Sequence, residues 1–404
     1  MAYKSEYLST LDRRGYIHQL TDAEAIDARA MKPGLTAYVG FDLTGPSLHV
    51  GHLLSIMMLR RLQQFGGKPI ALMGGGTTKV GDPSGKDTAR QLLDEATIAA
   101  NKASIKRVFE RFLTFGDGPG DALMLDNAEW LDKLNYIEFL RDYGRHFSVN
   151  RMLSMDSVKL RLDREQPLSF IEFNYMVLQS YDFVELNRRH ACVMQMGGSD
   201  QWGNITMGTD LGRRVAGAEL FGLTTPLITN ADGSKMGKTA SGAVWLNSDA
   251  LADWDYWQFW RNVDDRDVGR FLRLFTDMPD EEIARLEALQ GAEINDAKVA
   301  LANAATALCR GIEAAAACEA TARATFAEGG AGEGLPQLVV SGTLALADAL
   351  VASGLAASKG EARRKLSENA VRVNGAVVAD PNLLVGAPAK LSLGKKKHAL
   401  LVAG

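Results

Sequence analysis

The stretch at residues 38–52 reads YVGFDLTGPSLHVGH. Its apolar start predicts a strand, the Gly-Pro pair a loop, and the residues after it a helix with Ser47 as N-cap. His49 and His52 then lie near the helix start, where unbonded backbone N–H groups and the helix dipole favour phosphate oxygens. Gly51 between them indicates a close approach to the backbone, as by a flat adenine ring, because glycine inside a helix is about 1 kcal/mol less favourable than alanine.

A second stretch supports a nucleotide site. Residues 233–239 read GSKMGKT, a glycine-containing loop with two lysines and a threonine. Taken alone, His49 and His52 are also consistent with two surface residues of an ordinary helix. Two cations on one loop suit pyrophosphate, and together the two stretches favour a site for a nucleoside triphosphate.

Composition sets the class of protein. With 404 residues, 46% apolar and 23% charged, the chain fits a soluble globular protein of two or three domains. Cys192, Cys309 and Cys318 form no C-x-x-C pair, which predicts reduced thiols in the cytoplasm. The start lacks an apolar targeting core, and no apolar run approaches the roughly 18 residues of a membrane span, so no membrane association is expected.

The net charge of −4 is unevenly distributed. From residue 343 onward, nine Lys and Arg stand against four Asp and Glu, which gives +5 and leaves −9 for the rest. A basic carboxyl-terminal module predicts RNA binding, although a solvated basic face is the alternative interpretation.

Apolar strands alternate with helices through the first half of the chain. Right-handed β-α-β units of this kind predict a doubly wound parallel sheet that binds ligands at the carboxyl ends of its strands. Strands are predicted at residues 35–41, 70–73, 122–125, 191–196 and 226–228, and helices at 49–65, 136–147, 152–162 and 169–186. A helical lead-in covers residues 1–32, with Thr21 and Glu24 spaced as a capping box.

The second half is organised differently. Residues 249–328 are helical and become alanine-rich, and the glycine-rich stretch at 329–334 predicts a flexible linker. The last module contains two short helices and two strands joined at Asn374-Gly375, the strongest short hairpin signal.

One helix carries a polar line through apolar surroundings. Tyr175, Gln179 and Asp182 are spaced to lie on one face, and such groups must find hydrogen-bond partners, either in a ligand or in solvent. Asp200 and Gln201 follow a glycine turn that lets a backbone approach a ligand, although Asp200 could equally be a helix cap with Ser199.

The two stretches together resemble the paired signatures of class I aminoacyl-tRNA synthetases. Flanking residues resemble the bacterial tyrosine-specific branch of that family at 38–42, 81–86, 173–175, 181–183 and 197–204. The chain departs from the usual lysine-rich signature at Gly237 and Thr239, where serine is typical, which puts one hydrogen bond in doubt.

The resemblance implies an α/β fold with a Rossmann-like doubly wound parallel sheet, followed by a helical domain and a small α+β RNA-binding domain. The implied domains are residues 1–248 with a helical dimerisation insertion at about 127–165, then 249–328, a linker at 329–342, and 343–404. A cytoplasmic homodimer is expected.

The resemblance also implies residue roles. Tyr38 and Asp182 would meet a substrate phenol, and Gln195 would stand behind Asp182. The tyrosine-binding set is Tyr38, Asp82, Tyr175, Gln179, Asp182, Gln195 and Gln201. The ATP-binding set is Gly40, Asp42, His49, Gly51, His52, Gly198, Asp200, Lys235 and Lys238. The catalytic set is Thr44, His49, His52, Lys235, Lys238 and Thr239. The tRNA-binding set is Lys359, Arg363, Arg364, Lys365, Lys395, Lys396 and Lys397.

The implied reaction is activation of L-tyrosine by ATP, accompanied by Mg²⁺ without a dedicated metal site, and transfer to tRNA(Tyr). A tryptophan-specific relative is the nearest alternative, and the pair of Tyr38 and Asp182 argues against it. A nucleotidyltransferase without tRNA is disfavoured by the basic module. A non-catalytic RNA-binding relative is disfavoured because His49 and Lys238 are both present.

Overall fold

The computed structural model describes residues 2–84, 93–234, 236–239, 242–326, 335–394 and 397–404. The chain divides into two compact units. The first comprises Met1–Gly237, Trp245–Asn247 and Asp264–Leu289, and the second Lys238–Val244, Ser248–Val263 and Gln290–Gly404. The predicted helical domain at 249–328 therefore contributes residues to both units, and the predicted linker at 329–334 lies outside the described residues.

The first unit is built on a mostly parallel sheet, as the alternation of strands and helices predicts. Among the described residues it has six strands, β1 Gln19–Leu20, β2 Thr36–Asp42, β3 Lys68–Gly74, β4 Leu123–Asp126, β5 Met194–Gly198 and β6 Phe221–Thr225. Their order is β1-β6-β5-β2-β3-β4, and only β1 runs antiparallel to its neighbour. Ile70 and Leu72 in β3 are buried, as expected for a parallel sheet covered on both faces.

The strand order places the ligand crevice. The chain winds outward from β2 through β3 to β4, and from β5 to β6 on the other side, so the winding direction reverses between β2 and β5. The carboxyl ends of strands at such a switch point are where doubly wound sheets bind ligands. The histidine stretch follows β2, and Asp200 and Gln201 follow β5.

The helices of both units follow in chain order. They are α1 Glu6–Arg13, α2 Ala23–Ala30, α3 Val50–Gln64, α4 Glu95–Phe112, α5 Ala128–Leu131, α6 Tyr136–Asp142, α7 Val149–Leu153, α8 Asp156–Asp163, α9 Phe170–His190, α10 Trp202–Ala216, α11 Asp253–Arg261, α12 Val268–Phe275, α13 Asp280–Glu287, α14 Ile294–Arg310, α15 Ile312–Phe326, α16 Leu346–Ala352 and α17 Lys359–Ser367. Short 3₁₀ turns cover Thr77–Lys79, Gly144–His146, Ser199–Gln201, Asp265–Asp267 and Gly291–Glu293. Among the described residues, no helix is both long enough and apolar enough to cross a membrane.

Two predicted helix caps are wrong. The N-cap of α3 is His49 rather than Ser47, because the His49 ring accepts from the Gly51 N–H while Ser47 is buried and donates to the Leu48 carbonyl. The N-cap of α2 is Asp22 rather than Thr21, whose hydroxyl instead accepts from the Gly222 N–H next to the sheet.

Two predicted segments also differ. The last strand of the sheet is β6, which ends at Thr225, and the predicted strand at 226–228 lies beyond it. Pro226 has no N–H to donate to a ladder, so the strand ends before it. The predicted helix at 152–162 is two helices, α7 and α8, separated at Ser154 and Met155.

The last module of the second unit has its own apolar core, which includes Leu350, Leu366 and Leu391. The remaining strands of the described residues are β7 Lys238–Thr239, β8 Gly242–Ala243, β9 Gln337–Val340, β10 Thr343–Ala345, β11 Val371–Val373, β12 Ala376–Val377, β13 Leu384–Gly386, β14 Ala389–Leu393 and β15 Lys397–Ala403. The main sheet of the module has the order β12-β11-β14-β15-β9. The predicted hairpin is present, with positive φ at both Asn374 (49°) and Gly375 (85°), as a type I′ turn requires.

Candidate active site

The deepest polar group of the crevice is the Asp182 carboxylate on α9. Asn127, directly after β4, donates its side-chain amide to Asp182 Oδ2 at 2.9 Å, and Trp130 donates its indole N–H to Oδ1 at 2.7 Å. All three side chains are buried, with Asp182 only 2% exposed. A buried carboxylate needs such donors, and here they fix its position.

The electrostatics of Asp182 follow from its burial. Loss of solvent raises the pKa of this carboxyl to about 7, while the hydrogen bonds from Asn127 and Trp130 oppose the rise and the charges of Asp42 and Asp126 add to it. The group therefore titrates near neutral pH.

Tyr38 on β2 brings a second polar group to the same pocket. Burial, followed by the nearby charge of Asp182, raises the pKa of its hydroxyl well above the ordinary value. Gln195 on β5 stands beside Tyr38 in register. Within the described residues neither the Tyr38 hydroxyl nor Gln195 Oε1 has a hydrogen-bond partner, although both are buried. Buried polar atoms in this state are suited to a ligand.

Two hydrogen-bonded sets of side chains form the next layer of the pocket. Gln201 donates to Asp82 Oδ2 at 2.9 Å, and Gln179 donates to Gln201 Oε1 at 3.3 Å. Tyr175 donates to the Asp42 carboxylate at 3.2 Å from Oδ1. The predicted polar line on α9 thus contributes Gln179 to one hydrogen-bonded set and Tyr175 to another, with residues from the ends of β5 and β2.

The two histidines cap their own helix. The Gly51 N–H donates to His49 Nδ1 at 3.0 Å, and the His49 N–H donates to His52 Nδ1 at 3.2 Å. A neutral ring that accepts at Nδ1 carries its proton on Nε2, so each imidazole has an Nε2–H donor. Donors at a helix start suit phosphate oxygens.

Gly51 is needed for packing within the chain itself. A Cβ there would lie 2.7 Å from His49 Cε1 and 3.3 Å from the Met236 carbonyl oxygen. Gly237 has φ +93°, and a Cβ there would lie 2.9 Å from the Gly51 nitrogen. The segment at 236–237 therefore lies directly against the start of α3.

Other predicted nucleotide residues are at the same strand ends. Gly40 is exposed within an otherwise buried strand, with open space where a Cβ would stand, and Thr44 is exposed in the loop after it. Gly198 leaves room for the Asp200 carboxylate, whose Oδ1 would be 2.5 Å from a Cβ at that position. Lys235 lies outside the described residues, and of Lys238 and Thr239 only the backbone, in β7, is described.

The predicted tRNA-binding residues that are described lie on the module surface. Lys359 pairs with Asp348 at 2.7 Å, and Lys365 pairs with Glu368 at 2.7 Å. Arg363, Arg364 and Lys397 are exposed. Lys395 and Lys396 lie outside the described residues.

The sequence analysis did not identify four side chains that hold the site. Asn127 and Trp130 fix Asp182, Thr77 donates to Asp42 Oδ1 at 3.0 Å, and Asn204 donates to Gln179 Oε1 at 2.9 Å. A usable signal existed only for Asn127, which directly follows a strand of the parallel sheet.

The strand order and the two signature stretches are those expected of a class I tRNA synthetase, and comparison with known proteins shows membership of that class. The family described as tRNA synthetases class I (W and Y) matches residues 31–327, and the tyrosine–tRNA ligase SYY-like C-terminal domain matches residues 327–401. A tyrosine–tRNA ligase of Novosphingobium aromaticivorans is 65% identical over 99% of this chain and 98% of its own length. One from Zymomonas mobilis is 62% identical over 100% of this chain and 99% of its own.

A solved structure gives the same result. The C-terminally truncated mitochondrial tyrosyl-tRNA synthetase of Coccidioides posadasii superposes with a TM-score of 0.68 at 31% identity, covering 78% of this chain and 91% of its own. The chain belongs to the tyrosine–tRNA ligase family.

Proposed function

We propose that this chain activates L-tyrosine with ATP, releases pyrophosphate, and transfers the tyrosyl group to the terminal ribose of tRNA(Tyr). The choice of tyrosine as the amino acid rests on the side chains at the floor of the pocket. A carboxylate fixed by two donors and a buried hydroxyl without a partner in the described chain stand together there. A phenol O–H can donate to Asp182 and accept from Tyr38, whereas phenylalanine would leave the buried Tyr38 hydroxyl without a partner and would give Asp182 no third donor.

The network above the floor suits the other end of the amino acid. Asp82, Tyr175 and Gln179 offer acceptor oxygens for its ammonium group, and Gln201 offers an amide donor for its carboxylate. Asp42 lies within hydrogen-bond distance of Tyr175 and adds negative charge. The attacking carboxylate oxygen is already ionised, so the first step requires neither a protein nucleophile nor a general base.

The chemistry then depends on positioning and on charge stabilisation at the phosphates. Thr44 and the Nε2–H groups of His49 and His52 would donate to phosphate oxygens as charge develops. Asp200 and Gly198 would hold the ribose, with Gly40, Asp42 and Gly51 lining the nucleotide. Lys235, Lys238 and Thr239 would bind the departing pyrophosphate. Mg²⁺ would arrive with ATP as part of the substrate.

The inserted helices suit a homodimer. Several large apolar side chains on and next to these helices are exposed to solvent. Their exposure is unfavourable in water unless a partner subunit covers them. They include Tyr136 (60%), Ile137 (70%), Val149 (58%) and Leu160 (51%), and Phe170 (69%) at the start of α9 is exposed as well. We propose this surface as the dimer contact, residues 343–404 as the tRNA-binding domain, and the cytoplasm as the compartment.

Pyrophosphate exchange into ATP tests the proposal, with tyrosine, phenylalanine and tryptophan run in parallel. Exchange should depend on tyrosine. Lys238→Ala should slow adenylate formation by about a hundredfold, the scale for removing one preorganised charged group, with tyrosine affinity nearly unchanged in equilibrium dialysis. Exchange driven by tryptophan, or a large loss of tyrosine affinity in Lys238→Ala with unchanged chemistry, would refute these assignments.

A further inference from the structure

The loop before Lys235 is held together by its own backbone hydrogen bonds. The Asn230 N–H donates to the Ser234 carbonyl at 2.8 Å, and the Gly233 N–H donates to the Asn230 carbonyl at 2.8 Å. The Met236 N–H donates to the Ile228 carbonyl at 3.2 Å. Backbone hydrogen bonds therefore join residues 228–234 and Met236 into a compact lobe on either side of Lys235 in the chain.

Two side chains of the α12 region hold the incoming side of this lobe. Asp267 Oδ2 accepts from the Ala231 N–H at 2.7 Å, and Asp267 Oδ1 bonds Arg270 Nη2 at 2.8 Å. The same Arg270 nitrogen donates to the Thr229 carbonyl. A carboxylate and a guanidinium thus bind two neighbouring parts of the lobe's backbone, with charge-assisted hydrogen bonds on both.

Capping of helix α12 does not explain the position of the Asp267 side chain. Asp267 stands at the N-cap position of α12, yet within the described residues its side chain makes no capping hydrogen bond there. Its carboxylate is buried, with the residue 4% exposed. A buried carboxylate is tolerated only where its partners satisfy it, and the partners found here are the lobe and Arg270.

The lobe is also held on its outgoing side. Gly237 lies against Gly51 and the His49 ring, as the 2.9 Å and 3.1 Å distances from a Cβ at position 237 show. The lobe is thus held by the buried Asp267 carboxylate and the partly exposed Arg270 on one side, and Gly237 lies against the start of α3 on the other. Fixing both sides reduces the conformational freedom that would otherwise be lost when the lysine engages phosphate.

We propose that Asp267 and Arg270 are positioning residues that set the resting place of the Lys235 lobe and thereby speed adenylate formation. The proposal rests on the proposed role of Lys235 at pyrophosphate. It assigns a function in the reaction to two side chains that contact neither tyrosine nor ATP.

The experiment compares Asp267→Ala, Asp267→Asn and Arg270→Lys with the unmodified full chain. We expect Asp267→Ala to slow single-turnover adenylate formation by about tenfold or more, and to raise the KM for pyrophosphate in the exchange reaction. Tyrosine affinity in equilibrium dialysis should change by less than about twofold, because no tyrosine contact is altered. Asp267→Asn keeps an oxygen for the Ala231 N–H and should recover part of the rate.

Glu287→Gln is the matched control. Glu287 on α13 pairs with Arg273 of α12, so this variant breaks an ion pair of α12 while keeping the hydrogen bonds from Asp267 and Arg270 to Ala231 and Thr229. It should leave the rate of adenylate formation unchanged. A similar slowing in Glu287→Gln would show that α12 acts only through general stability, and would overturn the proposal.

Limited trypsin digestion gives a readout that a general loss of stability would not. Releasing the lobe should speed cleavage after Lys235 or Lys238 in Asp267→Ala, relative to cleavage elsewhere in the chain. If Asp267→Ala does not fold, Arg270→Lys tests the same interaction, because lysine keeps the charge but cannot bond Asp267 and the Thr229 carbonyl through one planar group.

Lys235→Ala separates the two levels of the proposal. If Lys235→Ala slows adenylate formation while Asp267→Ala and Arg270→Lys remain fully active, only the positioning role of Asp267 and Arg270 is refuted. An unaffected Lys235→Ala would refute the role of the lobe in the reaction, and the positioning role with it.

Discussion

The proposed tyrosine pocket and the basic face of the carboxyl-terminal module both depend on polar side chains, but under opposite conditions. Asp182 is buried, and its two donors reach it at 2.7 and 2.9 Å. Arg364 on the module is exposed, and its nearest carboxylate, Glu368, lies at 3.8 Å. Removing one partner of a buried charge leaves the other uncompensated, whereas water and salt replace most of an exposed interaction.

The difference predicts how each region works. In the pocket, single residues should decide which amino acid is accepted, because each polar atom has a fixed place. On the module, affinity should come from the sum of many weak interactions with phosphates, and no single lysine or arginine should be decisive. Four experiments test this contrast.

Removing the whole basic module should have the largest effect. A chain ending within residues 329–334 keeps every residue assigned to tyrosine and ATP, but lacks the nine Lys and Arg of residues 343–404 and their net charge of +5. Pyrophosphate exchange should persist, while charging of tRNA at physiological salt should fall by roughly a hundredfold or more. The salt dependence of residual tRNA binding should become shallower, by about 0.7–0.9 in log–log slope for each phosphate that the module would neutralise.

Equal charging by both forms would mean that the basic face is merely solvated. Loss of exchange would mean that the tail is needed for the catalytic fold, and that residues 343–404 are not a separate domain.

Breaking a buried ion pair should cost more stability than breaking an exposed one. Arg161 and Glu172 pair at 2.7 Å where α8 meets the start of α9, and both side chains are almost fully buried. Glu172→Gln should lower the free energy of unfolding by about 3 kcal/mol in urea titrations. Glu368→Gln on the module surface should change it by less than about 1 kcal/mol. Similar values for the two variants would contradict the distinction between buried and exposed charge.

The pH dependence of this pair has a definite sign. Burial alone would raise the pKa of Glu172, but hydrogen bonds from Ser169 and the Arg161 guanidinium outweigh it and lower the pKa below its ordinary value. The stabilisation is therefore present above the unfolded pKa and is lost as pH falls through the folded one. The difference between Glu172→Gln and the native chain should shrink in acid.

Tyrosine affinity should depend on pH near neutrality. The Asp182 carboxylate must be ionised to accept the phenol, and its pKa in the empty pocket is about 7. Equilibrium dialysis should show affinity falling by up to about tenfold per pH unit below that value. Asp182→Asn should remove the dependence.

The titration of Asp182 does not itself destabilise the fold as pH falls. The folded pKa of Asp182 is raised above its ordinary value of 3.8, so the ionised group destabilises the fold and protonation relieves the penalty as pH falls. Affinity that stays constant across the range from about 5.5 to about 8 would show that Asp182 does not bind the phenol in its ionised form.

The smallest expected effect is the loss of one hydroxyl. Tyr38→Phe should reduce the tyrosine-to-phenylalanine ratio of kcat/KM by about fivefold, the scale of one hydrogen bond. Tyr7→Phe removes another buried hydroxyl of the same unit, one that bonds Met196 Sδ at 3.6 Å, and should leave the ratio unchanged. An unchanged ratio in Tyr38→Phe would show that Tyr38 does not read the phenol.

The sequence predicted the parts of the site that depend on chain order. Four predicted strands, which correspond to β2, β3, β4 and β5, and their parallel direction follow from local pattern, and the structure confirms them, whereas the strand predicted at 226–228 is wrong. Asn127 and Trp130 could not be found in this way, because their hydrogen bonds to Asp182 join residues more than 50 positions apart and require the folded sheet.

The helix start shows a different reason for error. Ser47 is a good N-cap by type, but its hydroxyl bonds the Leu48 carbonyl and accepts from the Asn247 N–H, a residue 200 positions away. His49, a less common cap, takes the role because its ring is already fixed against His52, with ring centres 4.1 Å apart. Tertiary contacts override the local preference.

The glycine at position 237 has a consequence for engineering this protein. Its φ of +93° and its 2.9 Å approach to the Gly51 nitrogen mean that the two signatures share one steric constraint. Replacing Gly237 with the more usual serine would place a residue with a side chain at a left-handed φ. Its Cβ would also clash with the Gly51 nitrogen. The two motifs should therefore be diversified as a pair in any library, and a change drawn from the family consensus at position 237 alone is expected to reduce activity.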